Sequence, residues 1–339
     1  MSRGVWIRSS LATACLFLMT GGNNAGAENE KWTTKKELPT ARGGCAGEVV
    51  NGKFYVIGGG FSAYAHLDTV EAYDPAQNAW RTLAPMPTHR NNVVSARLGT
   101  LIYVIGGLVT PPGKVPEDKA ASLPTAVVEA YDTARDCWTQ KASMPFGRVK
   151  PLVGVVDGKI YVLGGRRDDF NTTSIIEYDP VRDTWTEKGE MPIGVRHGAA
   201  CVFNGKIYLT GGWSPPPDPK TKGGNFHADA FVYDPKAGVC TPIAAMPTSR
   251  AGHVIVATDT QLYVLGGVTT GKAFVTTVDV YDPASGAWKT VDQIPSPRAM
   301  FAVGVIHGKF YLAGGWTALY KKPNTIFEEY APMPTGGKP

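Results

Sequence analysis

The sequence predicts an all-β fold, a six-bladed β-propeller of four-stranded antiparallel blades, closed by the N-terminal strand pairing with the last blade. Three observations predict it: a unit of about 50 residues that recurs six times, a Gly-Gly pair at one fixed place in every unit, and an unmatched strand at each end of the series. The chain has 339 residues, and the units run without a break from residue 32 to residue 330. We therefore expect one domain.

Each unit begins at a turn with proline in second place, and a Gly-Gly pair starts 20 residues after that turn begins. The pairs start at Gly58, Gly106, Gly164, Gly211, Gly266 and Gly314. A tyrosine follows each pair, at Tyr73, Tyr131, Tyr178, Tyr233, Tyr281 and Tyr330. In the first five units the seventh residue after this tyrosine is Trp80, Trp138, Trp185, Cys240 or Trp288.

Four strands, which we name a to d from the axis outward, account for the unit. Strand a follows an arginine and is rich in small and apolar residues, as at 198–203, which fits a crowded central channel. A tight turn such as Asn204-Gly205 leads to strand b, which is apolar on both faces and ends at the Gly-Gly pair. Strand c ends at the tyrosine. Strand d carries the tryptophan, which we expect to be a buried core residue.

The two ends of the chain complement each other. After Tyr330 the chain has no strand d, whereas residues 31–34 supply a strand d with Trp32 before the first turn. Pairing of these segments would complete the sixth blade and remove the free edges of the ring.

This pattern resembles the kelch repeat, and the chain is identified as a member of the kelch-repeat family, a secreted six-bladed kelch β-propeller. The resemblance covers nearly all of the chain after residue 27, with Cys240 for tryptophan and Ala331 for aspartate as departures. In animal kelch domains with similar propellers, arginines at the turn before strand a contact acidic peptide ligands. The resemblance therefore implies a binding face at that turn.

Residues 1–27 are expected to be a secretory signal peptide, and residues 28–339 the propeller. Arg3 and Arg8 precede an apolar stretch at 11–20, and small residues at 25–27 offer a cleavage site. A transmembrane anchor is the weaker alternative, because this stretch is about half of the ~20 residues that span a bilayer. We expect an exported protein, periplasmic or secreted, without membrane insertion.

The net charge limits the classes of partner, and the histidine and cysteine positions bear on metal sites and disulfides. Removal of the leader takes away two arginines, so the formal charge falls from +5 to +3 (5 − 2) over the remaining 312 residues (339 − 27). This balance predicts no nucleic-acid partner. The six histidines show no metal-ligand spacing, and we expect a monomer with no metal and no cofactor. Four cysteines lie in blades too far apart to pair, and we expect free, mostly buried thiols at Cys45, Cys137, Cys201 and Cys240.

The loop between strands b and c is the variable part of the unit. From the first glycine of the pair to the tyrosine the distances are 15, 25, 14, 22, 15 and 16 residues, with insertions at 108–123 and 213–226. In an antiparallel blade this loop opens on the same face as the turn before strand a, so this loop face is the predicted binding surface. The insertions are equally well explained as tolerated slack in a surface loop.

Candidate binding residues follow from this geometry. An arginine stands at the turn before every strand a, displaced by one residue in blade 4, and six guanidinium groups around one opening would attract anions. The alternative for each is a guanidinium bonded to loop carbonyls. The arginines are Arg42, Arg90, Arg148, Arg196, Arg250 and Arg298. The loops between strands b and c add Tyr64, His66, Arg166, Arg167, Asp168, Asp169, Trp213, His227, Trp316 and Tyr320, with both tryptophans expected to be exposed.

Two functions remain open. The first is an exported, non-catalytic binding protein that recognises an anionic peptide, glycan or envelope partner on the arginine-rich loop face. The second is a sugar isomerase or mutarotase similar to N-acetylneuraminate epimerase, an exported bacterial kelch propeller. In that hypothesis Arg148 would hold the sugar carboxylate, and His197 or Asp168 would transfer the proton.

Overall fold

The computed structural model describes residues 31–62, 65–110, 122–216, 220, 223–318 and 322–332. These residues form six four-stranded antiparallel sheets, and the predicted six-bladed propeller is confirmed. The proposed leader, Tyr64 and Tyr320 lie outside the described residues. No helix of the described part is long and apolar enough to cross a membrane.

The strands are given in the order a, b, c, d. Blades 1 to 3 consist of Ala46–Val50, Lys53–Ile57, Val70–Asp74 and Ala79–Thr82; Val94–Leu98, Leu101–Ile105, Val128–Asp132 and Cys137–Lys141; and Leu152–Val156, Lys159–Leu163, Ser174–Asp179 and Thr184–Glu190. Blades 4 to 6 consist of Ala199–Phe203, Lys206–Thr210, Ala230–Asp234 and Val239–Ile243; Val254–Ala257, Leu262–Leu265, Thr277–Asp282 and Ala287–Gln293; and Ala302–Ile306, Lys309–Ala313, Phe327–Tyr330 and Trp32–Thr34.

Four of the loops between strands b and c carry a small hairpin, and that of blade 5 contains the 3-10 turn Thr270–Lys272. The hairpins pair Leu108–Val109 with Leu123–Pro124, Arg166–Arg167 with Phe170–Asn171, Trp213–Ser214 with Asn225–Phe226, and Trp316–Ala318 with Lys322–Pro323. Both long insertions therefore begin and end in a hairpin on the loop face.

The ring closes as the sequence predicts. Strand Trp32–Thr34 pairs antiparallel with Phe327–Tyr330, and Trp32 lies opposite Tyr330. Strand a of every blade contacts strand a of both neighbours, and that of blade 6 contacts that of blade 1. The first segment of the chain therefore completes the last blade.

The tryptophans of strand d join neighbouring blades at their outer part. The ring of Trp288 packs on Tyr281 at 5.0 Å between centroids, and its Nε1 donates to the Ala244 carbonyl of the preceding blade at 2.8 Å. Trp80, Trp138 and Trp185 make equivalent bonds. As expected, these tryptophans pack against the cores of the blades, although each remains partly exposed.

The Gly-Gly pairs are points of contact between blades. The second glycine of the first pair, Gly59, donates its N–H to the carbonyl of Arg90 in blade 2 at 3.0 Å. A Cβ on Gly106 would lie 2.5 Å from the Arg148 carbonyl oxygen, and φ there is +61°. A side chain at this position would therefore separate two blades.

The four described cysteines are free, as predicted. They are less buried than expected. Cys45 is buried, Cys201 and Cys240 are partly buried, and Cys137 is exposed. The burial of each thiol follows from its strand, because Cys45 directly precedes an inner strand a near the crowded axis, whereas Cys137 lies on an outer strand d.

Candidate functional site on the loop face

Five of the six predicted arginines do not face the opening, which corrects the expectation of an exposed cationic ring. Arg42, Arg90, Arg148, Arg250 and Arg298 are 0% exposed. Four of them pair with a carboxylate on strand c of the same blade; Arg90 Nη2, for example, lies 2.7 Å from Glu129 Oε2. The other pairs are Arg42 with Glu71, Arg250 with Asp279, and Arg298 with Glu328. These arginines brace strand a against strand c.

Arg148 is buried, and it forms no ion pair with a carboxylate of the described residues. The position that holds the acid in the paired blades is Ile176 here, and the guanidinium donates instead to Gly164 O at 3.0 Å, Ser174 O at 2.8 Å and Ser174 Oγ at 2.7 Å. Its burial lowers its pKa to about 10, so it stays charged at neutral pH. The role that the isomerase hypothesis gives to Arg148, holding a sugar carboxylate, has no support from this buried position.

Arg196 differs from the other five. Blade 4 has Val195 at the buried arginine position and Phe231 at the acid position. Arg196, one residue later, is partly exposed, and its main chain bridges to Trp213. Its guanidinium carbon lies 4.3 Å from the centroid of the Trp213 ring. The shift of one residue therefore takes this arginine out of the interior and onto the loop face.

Arg196 and Trp213 line a cleft of about 520 Å³ between blades 4 and 5. Phe226, Val268 and Lys272 also line it. Its size is that of a typical small-ligand pocket, for which roughly 300–1,000 Å³ is usual. The main chain of the blade-4 insertion approaches the Trp213 indole closely at Gly224. A Cβ at this position would lie 2.1 Å from Trp213 Cζ2, so only a glycine fits.

The mouth of the central channel is formed by a collar of six residues with left-handed backbone, one from each blade. They are Gly44, Asn92, Lys150, His197, Gly252 and Met300, with φ between 44° and 69°. Successive members are joined by main-chain hydrogen bonds, such as Gly252 N to His197 O at 2.6 Å and Met300 N to Gly252 O at 2.7 Å. The chain of bonds is interrupted between blades 1 and 2, where Asn92 N donates to the side chain of Asn91.

Positive charge concentrates where the collar meets the cleft. His197 belongs to both, and its pKa is lowered well below its ordinary value by burial and by the nearby cations Arg196, Lys150 and Arg166. A neutral imidazole among three cations indicates a mouth that favours anions.

The expectation that Trp316 is exposed is wrong. Trp316 is 0% exposed and packs with Ala299, Met300 and Val268. A Cβ on Gly43 would lie 2.1 Å from Trp316 Nε1, so the glycine of blade 1 makes room for the indole. Trp316 therefore fills the interior, whereas Trp213 lies on the surface of the cleft.

The remaining candidates lie elsewhere on the loop face. Arg167 stacks on Phe146 at 4.0 Å, and its Nε is 3.8 Å from Asp168 in an exposed turn that includes Asp169. Arg166 begins the same hairpin and bridges to Val149. Two histidines fix loops through hydrogen bonds, His227 to Ser214 at 2.8 Å and Asp229 at 3.1 Å, and His66 to Ser122 at 3.0 Å.

In the described ranges, histidine, cysteine and acidic side chains form no cluster of three or more that could hold a metal. His253 bonds through Nε2 to Thr210 Oγ1 at 2.9 Å. It is a buried residue of the seam between blades 4 and 5.

The sequence interpretation missed the acid that pairs with four of the five buried arginines. This acid stands two residues before the strand-c tyrosine, as Glu71, Glu129, Asp279 and Glu328. A comparison of the six units would have found it, because blade 4 lacks the arginine and the acid together.

Comparisons with known proteins agree with this architecture. Residues 23–212 match the KLHDC2/KLHL20/DRC7 Kelch-repeats domain, and residues 195–247 and 249–293 match the Kelch motif. Kelch-like protein 35 of Mus musculus is 30% identical over 43% of this chain and 22% of its own length. Kelch repeat and BTB domain-containing protein 12 of Homo sapiens is 33% identical over 41% of this chain and 24% of its own. The chain thus matches less than a quarter of either relative.

A solved structure titled "Structure of YjhT" superposes with a TM-score of 0.72 over 87% of this chain and 96% of that one, at 19% identity. At this identity the similarity concerns the fold alone. The family match covers more than half of the residues and agrees with six blades built on Gly-Gly, tyrosine and tryptophan positions. The chain belongs to the kelch-repeat family.

Proposed function

We propose that this protein is a non-catalytic binding module that captures an acidic polypeptide segment of a partner protein on its loop face. The observation that carries the proposal is the partly exposed Arg196 stacked on Trp213 at the wall of a cleft of about 520 Å³. The cleft combines an aromatic surface with a fixed cation.

The chemistry of the cleft suits a carboxylate next to an apolar side chain. The guanidinium of Arg196 lies over the Trp213 ring, and a guanidinium binds a carboxylate in a fork through the N–H donors in its plane. Trp213 and Phe226 offer the aromatic area that commonly anchors a bound peptide. Lys272 adds a second positive charge at the edge.

The rigid ring reduces the cost of binding. The cleft is walled by the blade-4 hairpin and by the blade-5 loop, where Val268 bridges to Ala251, so few of these groups have to be ordered when a ligand enters. The leader-like residues 1–27 support a site of action after export, in a periplasm or outside the cell.

Fluorescent peptides rich in Asp and Glu, with one aromatic or leucine residue, test the proposal by fluorescence anisotropy. We expect Arg196→Ala and Trp213→Ala each to weaken binding about tenfold, since each removes a charge-assisted or aromatic contact. Arg182→Ala is the matched control, because Arg182 is 81% exposed and lies on the outer turn of blade 3.

Equal binding by Arg196→Ala and the unmodified protein would contradict the proposal. Capture of an anionic glycan but of none of the acidic peptides would assign the cleft to another ligand. The isomerase alternative has its own measurement, the exchange of the N-acetylneuraminic acid anomers followed by NMR. We expect no acceleration by the protein.

A further inference from the structure

Lys150, the collar residue of blade 3, reaches across the central channel. Its backbone is left-handed, with φ of 44°, and its side chain is partly buried. The Nζ donates to Val93 O of blade 2 at 3.1 Å and to Cys45 O at 3.4 Å, where strand a of blade 1 begins. An ammonium group is therefore held near the axis, just behind the collar.

The positive charge of Lys150 is balanced only weakly by the groups around it. Within the described ranges both hydrogen bonds of the Lys150 Nζ go to main-chain carbonyls. The titratable group beside it is the Cys45 thiol, whose pKa is raised by burial, so it remains neutral. Burial lowers the pKa of Lys150 to about 8, which leaves the group mostly protonated at neutral pH. An ammonium has three donors and favours an anionic acceptor.

A cavity adjoins this ammonium. It has a volume of about 160 Å³ and is lined by Lys150, His197 and the first residues of the inner strands. That volume is several times the ~30 Å³ share of one water molecule, which is room for a carboxylate on a short aliphatic stem. His197 Nδ1 is buried there with no hydrogen-bond partner among the described residues.

The cavity and the cleft are neighbours. His197 and Met300 line both of them, so a ligand seated against Trp213 lies next to the channel mouth. In the described ranges no carboxylate forms an ion pair with Lys150 Nζ, which bonds to the carbonyls of Cys45 and Val93. Glu48, on strand a of blade 1, is hydrogen-bonded to Ser95 instead. The Lys150 charge is left for a ligand.

We propose that the channel behind the collar is a second anion subsite, in which Lys150 and His197 bind a carboxylate on a slender aliphatic stem. This inference rests on the proposed function, because it makes the cleft and the channel two parts of one site. The carboxylate can belong to a free small carboxylic acid or to a glutamate side chain of the peptide bound in the cleft.

The variant Lys150→Asn tests the subsite. Asparagine occupies the same collar position in blade 2, at Asn92 with φ of 56°, so the left-handed backbone accepts it. The probes are propionate, as a free carboxylate, and two acidic peptides that differ by one Glu→Gln exchange. NMR of the lysine side-chain signals follows propionate, and anisotropy follows the peptides.

We expect propionate to raise the pKa of Lys150 from about 8, because a bound anion stabilises the ammonium form. We expect Lys150→Asn to lose propionate binding about tenfold, and Arg196→Ala to retain it. For the peptide source, the preference for Glu over Gln should disappear in Lys150→Asn and persist in Arg196→Ala, whose peptide affinity is lower for both.

Propionate and peptide binding unchanged in a folded Lys150→Asn would overturn the subsite. Peptide binding that depends on Arg196 and not on Lys150, with no propionate response, would overturn it while the proposed function stands. Propionate binding that depends on Lys150, without capture of any acidic peptide, would assign the subsite to a free carboxylic acid and refute the proposed function.

Discussion

Blade 4 and the four blades with a buried ion pair solve the same packing problem in different ways. In blades 1, 2, 5 and 6 a fully buried arginine meets a carboxylate of strand c, as in Arg90 with Glu129. In blade 4 the corresponding residues are Val195 and Phe231, so the interior is apolar. Both partners are absent together, which avoids an unpaired buried charge. The regular arginines therefore belong to the scaffold, and the departure from the repeat in blade 4 places Arg196 at the proposed binding cleft.

The largest effect is expected from breaking one of the buried pairs. Arg90→Met should lower the free energy of unfolding by about 3–5 kcal/mol, because it leaves the carboxylate of Glu129 buried and unpaired. Chemical denaturation followed by tryptophan fluorescence measures this change.

Arg148→Met is the control for that experiment. It removes a buried guanidinium that bonds only to carbonyls and Ser174 in the described structure, and leaves no carboxylate behind. Its cost should be smaller, about 1–3 kcal/mol. Equal losses in the two variants would mean that the carboxylate is not what makes the arginine necessary.

The strand-d position also differs between blade 4 and the other blades. Trp288→Ala should cost about 2–4 kcal/mol through lost contact with Tyr281 and the lost bond to Ala244. Cys240→Ala, at the same position of blade 4, should cost no more than about 1 kcal/mol. Thermal unfolding of both variants measures the two losses of stability. A larger loss for Cys240→Ala than for Trp288→Ala would contradict the view that blade 4 depends less on this position.

The seam between blades 4 and 5 should respond to acid. Burial, reinforced by Arg250, lowers the pKa of His253 from 6.5 to about 3, so the unfolded chain binds its proton more readily. The contribution of this neutral histidine is present above pH 6.5 and is lost as the pH falls, by about 2 kcal/mol between pH 6.5 and 5.

His253→Phe, which introduces the residue found at this position in blade 6, Phe301, should flatten that part of the stability profile. The measurement is the denaturation midpoint at several pH values, relative to the unmodified protein. An equally steep pH profile in the variant would show that His253 is not the source of the acid sensitivity.

The smallest effect on stability is expected at the arginine that carries the proposed function. Arg196→Ala should change the free energy of unfolding by less than about 0.5 kcal/mol, because a partly exposed side chain leaves no charge buried when it is removed. Denaturation under the conditions used for Arg90→Met checks this. A loss comparable to that of Arg90→Met would show that Arg196 also belongs to the scaffold.

The architecture was predictable because its signals are local and repeated. The turn, the Gly-Gly pair and the tyrosine recur at fixed spacing, and Trp32 without its own blade indicated how the ring closes. The structure confirms each of these, down to the pairing of Trp32 with Tyr330.

The site was predicted only in part, because spacing locates a residue on a face of the fold but does not say whether it is buried. Arg90 and Arg196 both stand at the turn before a strand a, yet one pairs with Glu129 and the other lies over Trp213. Trp213 and Trp316 both follow a glycine pair, and the space left by Gly43 puts only the second in the interior. The fate of each arginine depends on the strand-c residue of its own blade, whereas the burial of Trp316 depends on Gly43 of the neighbouring blade, which its own unit does not encode.

The collar has a consequence for access to the axis. Its members hold one another around the aperture through successive main-chain bonds, so the opening has a set diameter and cannot dilate at one point without straining its neighbours. A group that approaches the axis from this face has to pass through this ring of bonded backbone. The gap at Asn91, where the bonds are interrupted, is the place at which the aperture would yield first.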